Sequence, residues 1–172
     1  MSLMPTMIEL LARARVDLRM GLPVVLEGGD SAALAIAVES LTPERLTELL
    51  ALGPVSLALT ARRAETLKAR AYDEDLARIQ VPAQASLQWI QALADPADDL
   101  NTPMKGPLTS LRDGSADLHR LAIALVKSAR LLPAALLVPV NTAPQFASEH
   151  GLTRIALAAA QPPPPPPSPL LP

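Results

Sequence analysis

The sequence has 172 residues, a formal net charge of −2 at pH 7 and no cysteine. The length suffices for one domain with a sizeable core. The small net charge gives no general attraction for nucleic acid or anionic lipid, and without cysteine there is no disulfide, cysteine nucleophile or thiolate zinc site. The N-terminal segment interrupts its apolar residues with Glu9, Arg13 and Arg15. We therefore expect a cytoplasmic protein with no signal peptide and no membrane span.

Helix starts, glycine stops and short apolar runs alternate along the first half of the chain. Thr6 and Glu9 have the spacing of a capping box, and Thr42 followed by Pro43 is typical of a helix N-terminus. In chain order we predict a helix over 8–18, a hairpin of strands 23–26 and 32–38, a helix over 43–52, a strand at 55–59, a helix over 61–69, a strand at 76–81 and a helix over 86–93.

The segment 117–140 is expected to lie at the centre of the fold. Leucines recur at helical spacing in its first part, and Pro133 is expected to end that helix. The apolar run 134–140 then has the composition of a strand buried on both faces. The pattern lapses in 94–115, which predicts a long loop.

After the central strand we predict a short helix over 145–150, preceded by a capping box at Thr142 and Gln145, and a last strand over 154–158. The whole order predicts an α/β fold with a mixed sheet covered by helices, in a single domain of residues 1–160. Residues 161–172 include six consecutive prolines, which form a polyproline II tail: either a spacer, which we favour, or a docking motif for an aromatic-lined groove.

The candidate metal ligands are Glu27 and Asp30, which flank the Gly28–Gly29 turn, together with Asp117 at the start of the central helix. Carboxylates on a loop can hold Mg²⁺. The alternative for Glu27 and Asp30 is an ordinary hairpin turn with solvated acids. This alternative is favoured because Asp and Gly are common in turns.

The remaining ionisable residues favour structural interpretations. The acidic run 72–75 is typical of a solvated loop, and Asp95, Asp98 and Asp99 lack the spacing of a calcium loop, so a capped turn or flexible loop is expected. His119 could act as acid, base or ligand, although a surface position is preferred, and His150 precedes the helix-ending Gly151. No catalytic triad or phosphate-loop motif is present, so we predict no catalytic and no cofactor-binding residue.

Several stretches, taken together and in order, resemble the dihydroxybutanone phosphate synthase family. They are ARARVDLRMGLPVVLEGGD, IAVESLTPERLTELLALGPVSLALTARRAETL and LPAALLVPV followed by FASEHGLTRIAL. The chain resembles still more closely the synthase-like N-terminal domain of alphaproteobacterial proteins named GTP cyclohydrolase II. The resemblance implies a synthase-like α/β fold, a riboflavin-pathway association and a homodimer, with a cyclohydrolase domain or protein as partner and no nucleic acid or membrane.

Two departures from the family bear on activity. The resemblance implies an Mg²⁺-dependent enzyme that converts ribulose 5-phosphate to dihydroxybutanone phosphate and formate, with a dense acidic loop where this chain has only Glu27 and Asp30. The family's Gly-His-Thr-Glu motif is replaced by residues 114–117, Gly-Ser-Ala-Asp. We therefore expect a non-catalytic domain, with Mg²⁺ bound only if residual activity survives. A residual or altered enzyme acting on a sugar phosphate and an interaction module working through the tail are the alternatives.

Overall fold

The computed structural model describes residues 3–100 and 107–157, and the predicted tail at 161–172 lies outside them. In chain order, the described residues form six α-helices, seven strands and one short 3₁₀ turn. They are α1 (Met7–Arg19), β1 (Val24–Gly28), β2 (Ser31–Ala37), α2 (Pro43–Leu52), β3 (Val55–Thr60), α3 (Ala61–Thr66), β4 (Leu76–Val81), α4 (Leu87–Ala94), a 3₁₀ turn (Pro96–Asp98), β5 (Ser110–Leu111), α5 (Asp117–Ser128), β6 (Ala134–Pro139), α6 (Ala143–His150) and β7 (Arg154–Ala156).

The strands form one seven-stranded mixed sheet in the order β5-β4-β3-β6-β2-β1-β7. Every neighbouring pair is antiparallel except β1 and β7, which are parallel. β6 occupies the middle, with Leu136 opposite Ile36 on one side and Leu57 on the other. The prediction of a buried central strand and a mixed sheet is confirmed.

The two faces of the sheet are covered differently. Branched side chains such as Ile36, Leu57 and Leu136 pack under α2, α3, α4 and α6 on one face. On the other face α1 and α5 lie over a set of small buried residues from three strands: Ala33, Ala35, Ala37, Ala58 and Ala135. Because alanine projects only a methyl group, α5 can lie close to the sheet, and its first turn comes within reach of side chains on the strands.

Local signals at helix starts are mostly confirmed. The α1 capping box forms, since the Glu9 amide donates to Thr6 Oγ1 at 3.2 Å and the Thr6 amide donates to Glu9 Oε1 at 2.8 Å. The capping box predicted before α6 is wrong, because no backbone amide donates to the Thr142 side chain. Thr142 Oγ1 instead lies 3.4 Å from Gln145 Oε1.

Other differences concern the ends and outer faces of elements. α5 ends at Ser128, before Pro133, because Arg130 adopts a left-handed backbone conformation with φ 63° and the Leu132 amide donates to Glu39. The 94–115 segment contains a 3₁₀ turn and the short strand β5 in its described part. On α1, Ala14 and Leu18 are the residues that face the core, and Ile8 is 77% exposed.

Candidate functional site

A cavity of about 490 Å³ opens between the β1–β2 turn and the N-terminus of α5. Gly28, Gly29 and Ser31 line it from the turn, and Ser115 and Asp117 line it from the start of α5. Its remaining lining comes from β2, β3, α5, β6 and the chain after β7: Ala32, Ala33, Ser56, Leu118, His119, Leu137, Pro139 and Leu157. The cavity therefore lies between the turn flanked by Glu27 and Asp30 and the helix start at Asp117.

The predicted metal candidates do not converge on this cavity. Glu27 Oε1 accepts a hydrogen bond from Arg154 Nη1 on β7 at 3.2 Å, and its side chain is 29% exposed. Asp30 is exposed in the turn. Asp117 lines the cavity, but its Oδ1 accepts from Arg120 Nη1 at 3.0 Å and its side chain is 60% exposed.

The fit of these residues to Mg²⁺ can be judged from the donors. Mg²⁺ requires near-octahedral oxygen coordination, usually from one or two carboxylates together with waters and substrate oxygens. In the described part of the lining Asp117 is the single carboxylate, and its Oδ1 already accepts from an arginine. Within residues 3–100 and 107–157, no group of three or more His, Cys, Asp or Glu is placed to hold a metal ion. The described residues are therefore a poor match to a dedicated magnesium site.

His119 is not on the surface, so that prediction is wrong. It projects from the first turn of α5 onto β3, where its Nε2 lies 2.7 Å from Ser56 Oγ. Burial lowers the pKa of His119 to about 4, with a further lowering from the nearby Arg78 charge and a partial opposing effect of Asp73. The imidazole is neutral at pH 7. Its Nδ1 is buried without a hydrogen-bond partner in the part of the chain that the structure describes.

A buried arginine holds the loop before α5. Arg78, on β4, is 4% exposed and pairs with Asp73 through Nε at 2.9 Å. Its Nη1 donates to the carbonyl of Asp113 at 2.9 Å, and its Nη2 lies 3.4 Å from the carbonyl of Gly114. Since this loop leads directly into Ser115 and Asp117, Arg78 fixes one wall of the cavity.

The acidic segments have structural partners. The 72–75 run is a loop with Tyr72, Glu74 and Asp75 exposed, as predicted, but Asp73 is partly buried where it pairs with Arg78, and Asp75 accepts from Arg120 Nε at 2.6 Å. The hydrogen bonds from Arg120 lower the pKa of Asp75. Asp95 caps the 3₁₀ turn by accepting from the Ala97 amide, as predicted for a capped turn, and Asp99 pairs with Arg63 at 2.7 Å.

His150 ends α6, and its ring lies against Phe146 with centroids 4.4 Å apart.

Ser56 and Arg78 were missed by reasoning from the sequence. Each is a single polar residue at a buried position of a strand, Ser56 in VSLALT and Arg78 in LARIQV. A polar residue at a position that the strand alternation assigns to the core is the signal that could have found them.

Comparison with known proteins adds the following. No family model matches the chain. Over 148 residues it is 34% identical to GTP cyclohydrolase-2 of Azospirillum brasilense, an alignment that covers 81% of this chain and 38% of that protein. A two-domain 3,4-dihydroxy-2-butanone 4-phosphate synthase from A. baumannii superposes with a TM-score of 0.66 at 17% identity, covering 87% of this chain and 56% of that one.

Two further solved synthases agree. A cation-free 3,4-dihydroxy-2-butanone 4-phosphate synthase gives a TM-score of 0.66 at 14% identity, covering 87% of this chain and 93% of that one. A synthase in complex with two magnesium ions gives 0.61 at 15% identity, covering 87% and 93%. The chain therefore has a dihydroxybutanone phosphate synthase-like fold. At these identities the structural likeness establishes the fold of the synthase-like domain, and the chain spans 38% of the length of its curated relative.

No helix in the described part of the synthase-like domain combines the length and apolar character that crossing a membrane requires.

Proposed function

We propose that this synthase-like domain is non-catalytic and serves riboflavin biosynthesis as a structural support for a cyclohydrolase partner. The relationship to riboflavin-pathway enzymes rests on the 34% identity to a GTP cyclohydrolase-2 and on the synthase fold. The non-catalytic role is supported by one observation above all. Of the described residues that line the cavity at the β1–β2 turn, Asp117 is the single carboxylate, and it is paired with Arg120.

Too few carboxylates line the cavity, within the described residues, to coordinate a pair of divalent ions. One solved relative by fold is a synthase complex with two magnesium ions. Two divalent ions held close together need several carboxylate oxygens to offset their charge and fix their geometry. Glu27 pairs with Arg154 and Asp30 is exposed, so neither adds a carboxylate to the lining of the cavity. Without a bound cation the carbonyl chemistry of a sugar phosphate loses its main electrostatic stabilisation.

The direct test is synthase activity. Purified protein is incubated with ribulose 5-phosphate and Mg²⁺, and formate is measured, with an active 3,4-dihydroxy-2-butanone 4-phosphate synthase as the positive control. We expect no formate above the rate without protein. Formate release at a rate comparable to the control would reject the non-catalytic proposal and favour a residual sugar-phosphate enzyme.

The proposed homodimer has a candidate surface on α1. Three large apolar side chains are exposed on α1 and at its C-cap: Ile8 at 77%, Val16 eight residues later at 45%, and the C-cap Met20 a further four residues on at 62%. Residues four apart lie on one side of a helix, so these side chains form an apolar strip that a second copy can cover. Light scattering of the protein should give the mass of a dimer. An Ile8→Glu/Val16→Glu variant should be monomeric and folded, whereas a dimer that persists in this variant would place the interface elsewhere.

The cyclohydrolase partnership is tested by mixing. The purified domain and a GTP cyclohydrolase-2 from the same organism are run together on size exclusion, and cyclohydrolase melting is followed with and without the domain. We expect co-elution and a raised melting temperature of the cyclohydrolase. Independent elution with unchanged melting would count against a supporting role.

A further inference from the structure

The inner wall of the cavity carries a hydroxyl whose direction is set by its neighbour. Ser56 is 8% exposed and lines the cavity, and its Oγ lies 2.7 Å from His119 Nε2. One of the two groups must donate the proton, and the choice determines what the cavity presents to a ligand.

The buried nitrogen on the other side of the ring favours one tautomer. His119 Nδ1 has no hydrogen-bond partner within the described residues. Buried N–H donors without an acceptor are rarer in proteins than acceptors with an unused lone pair. The neutral ring therefore carries its proton on Nε2 and donates it to Ser56 Oγ. The Ser56 O–H is then free to donate into the cavity. In this arrangement His119 cannot take the Ser56 proton, so Ser56 is a binding group and not an activated nucleophile.

The charge around the cavity argues for an uncharged ligand. Among the described residues that line it there is neither lysine nor arginine, and the one carboxylate there, Asp117, is paired with Arg120. Arg78, which lies near His119, is engaged by Asp73 and by loop carbonyls. An anionic ligand would meet the carboxylate of Asp117, and the described residues of the lining offer it no lysine or arginine side chain, so the charge here favours an uncharged ligand.

The polar groups suit a ligand that both donates and accepts. Ser56 donates, Asp117 accepts, and the hydroxyls of Ser31 and Ser115 can do either. We propose that this cavity binds a small uncharged polyhydroxylated compound without a metal ion, with the Ser56 hydroxyl as a fixed donor to a ligand oxygen. This inference goes beyond the proposed supporting role and holds or fails independently of synthase activity.

The experiment follows amide and imidazole resonances of ¹⁵N-labelled protein during titration with glycerol, erythritol and xylitol. Each titration is run with EDTA and repeated with Mg²⁺. We expect saturable shifts at residues 117–119, an affinity that rises with chain length, and the same dissociation constant in both buffers. Ser56→Ala should weaken binding about tenfold, as expected for one lost hydrogen bond. Ser128→Ala is the matched control, because that hydroxyl donates to the Leu125 carbonyl away from the cavity.

The tautomer is read independently of any variant. Long-range ¹H–¹⁵N spectra of the wild-type protein assign the protonated ring nitrogen of His119, so the proposal stays testable if Ser56→Ala fails to fold. An Nδ1–H tautomer, the absence of saturation with all three polyols, or saturation only with Mg²⁺ would each overturn the proposal. Formate release in the synthase assay would reject the non-catalytic role while leaving this result standing.

Discussion

Acidification should destabilise this protein through His119. Burial lowers the pKa of His119 to about 4, against an ordinary value of 6.5. The unfolded chain therefore binds a proton at a higher pH than the folded chain does. By linkage, the contribution of His119 to stability is fully present above about pH 6.5, falls as the pH drops, and is exhausted once the pH passes below about 4.

The magnitude follows from the two pKa values. Each unit of difference corresponds to about 1.4 kcal/mol, which limits the effect to about 3 kcal/mol over the whole range. Between about pH 7.5 and about pH 5, the free energy of unfolding should fall by about 2 kcal/mol from this residue alone. For a protein of this length that corresponds to roughly 4–8 °C in melting temperature.

The assay is urea unfolding at the two pH values for the wild type and for His119→Gln. Glutamine keeps a donor near Ser56 but does not titrate, so subtracting the two pH responses removes the contribution of the carboxylates. We expect the pH response of the wild type to exceed that of the variant by about 2 kcal/mol. His150→Gln, at the exposed end of α6, is the control and should keep the wild-type response. Equal responses in the wild type and His119→Gln would refute the buried, neutral histidine.

Three further predictions concern stability, each measured by urea unfolding. Gly21→Ala should lower the free energy of unfolding by more than about 2 kcal/mol, because an added Cβ would lie 2.6 Å from the Ser40 carbonyl oxygen and the backbone has φ +84°. Gly114→Ala, at φ +80° with nothing within 4 Å of the added Cβ, should lower it by only about 1 kcal/mol through backbone strain. Equal losses in the two variants would contradict this prediction. Arg78→Met should lower the free energy of unfolding by about 3 kcal/mol because it leaves the partly buried Asp73 without its arginine, and a loss below about 1 kcal/mol would show that the pair is dispensable. Leu136→Ala, in the middle of the central strand, should lower the free energy of unfolding by about 2–5 kcal/mol. A smaller loss would mean that neighbouring side chains move into the space left by the leucine.

The sequence predicted the parts of the fold that depend on near neighbours. The Thr6–Glu9 capping box, the hairpin around Gly29 and the apolar run of β6 are local patterns, and each produces the expected element. The end of α5 was misplaced because the left-handed conformation of Arg130 carries no strong sequence signal, while Pro133 carries an obvious one.

The cavity was less accessible to sequence reasoning because its contacts join distant residues. Ser56 and His119 are 63 positions apart, and Arg78 reaches the carbonyl of Asp113 across 35. No spacing rule links such pairs, so His119 was placed on the surface and Arg78 was overlooked. The resemblance to the synthase family supplied the region of the site, at the β1–β2 turn and the start of α5, without supplying these partners.

The central claim is that a synthase fold here lacks a dedicated divalent-metal site. Electron paramagnetic resonance of Mn²⁺ tests it most directly, because Mn²⁺ accepts the same oxygen ligands as Mg²⁺ and its free form is counted in solution. Titrated into the protein with ribulose 5-phosphate present, Mn²⁺ should stay free except for weak binding that Glu27→Ala/Asp30→Ala/Asp117→Asn leaves unchanged. Stoichiometric binding that this triple variant abolishes would contradict the account.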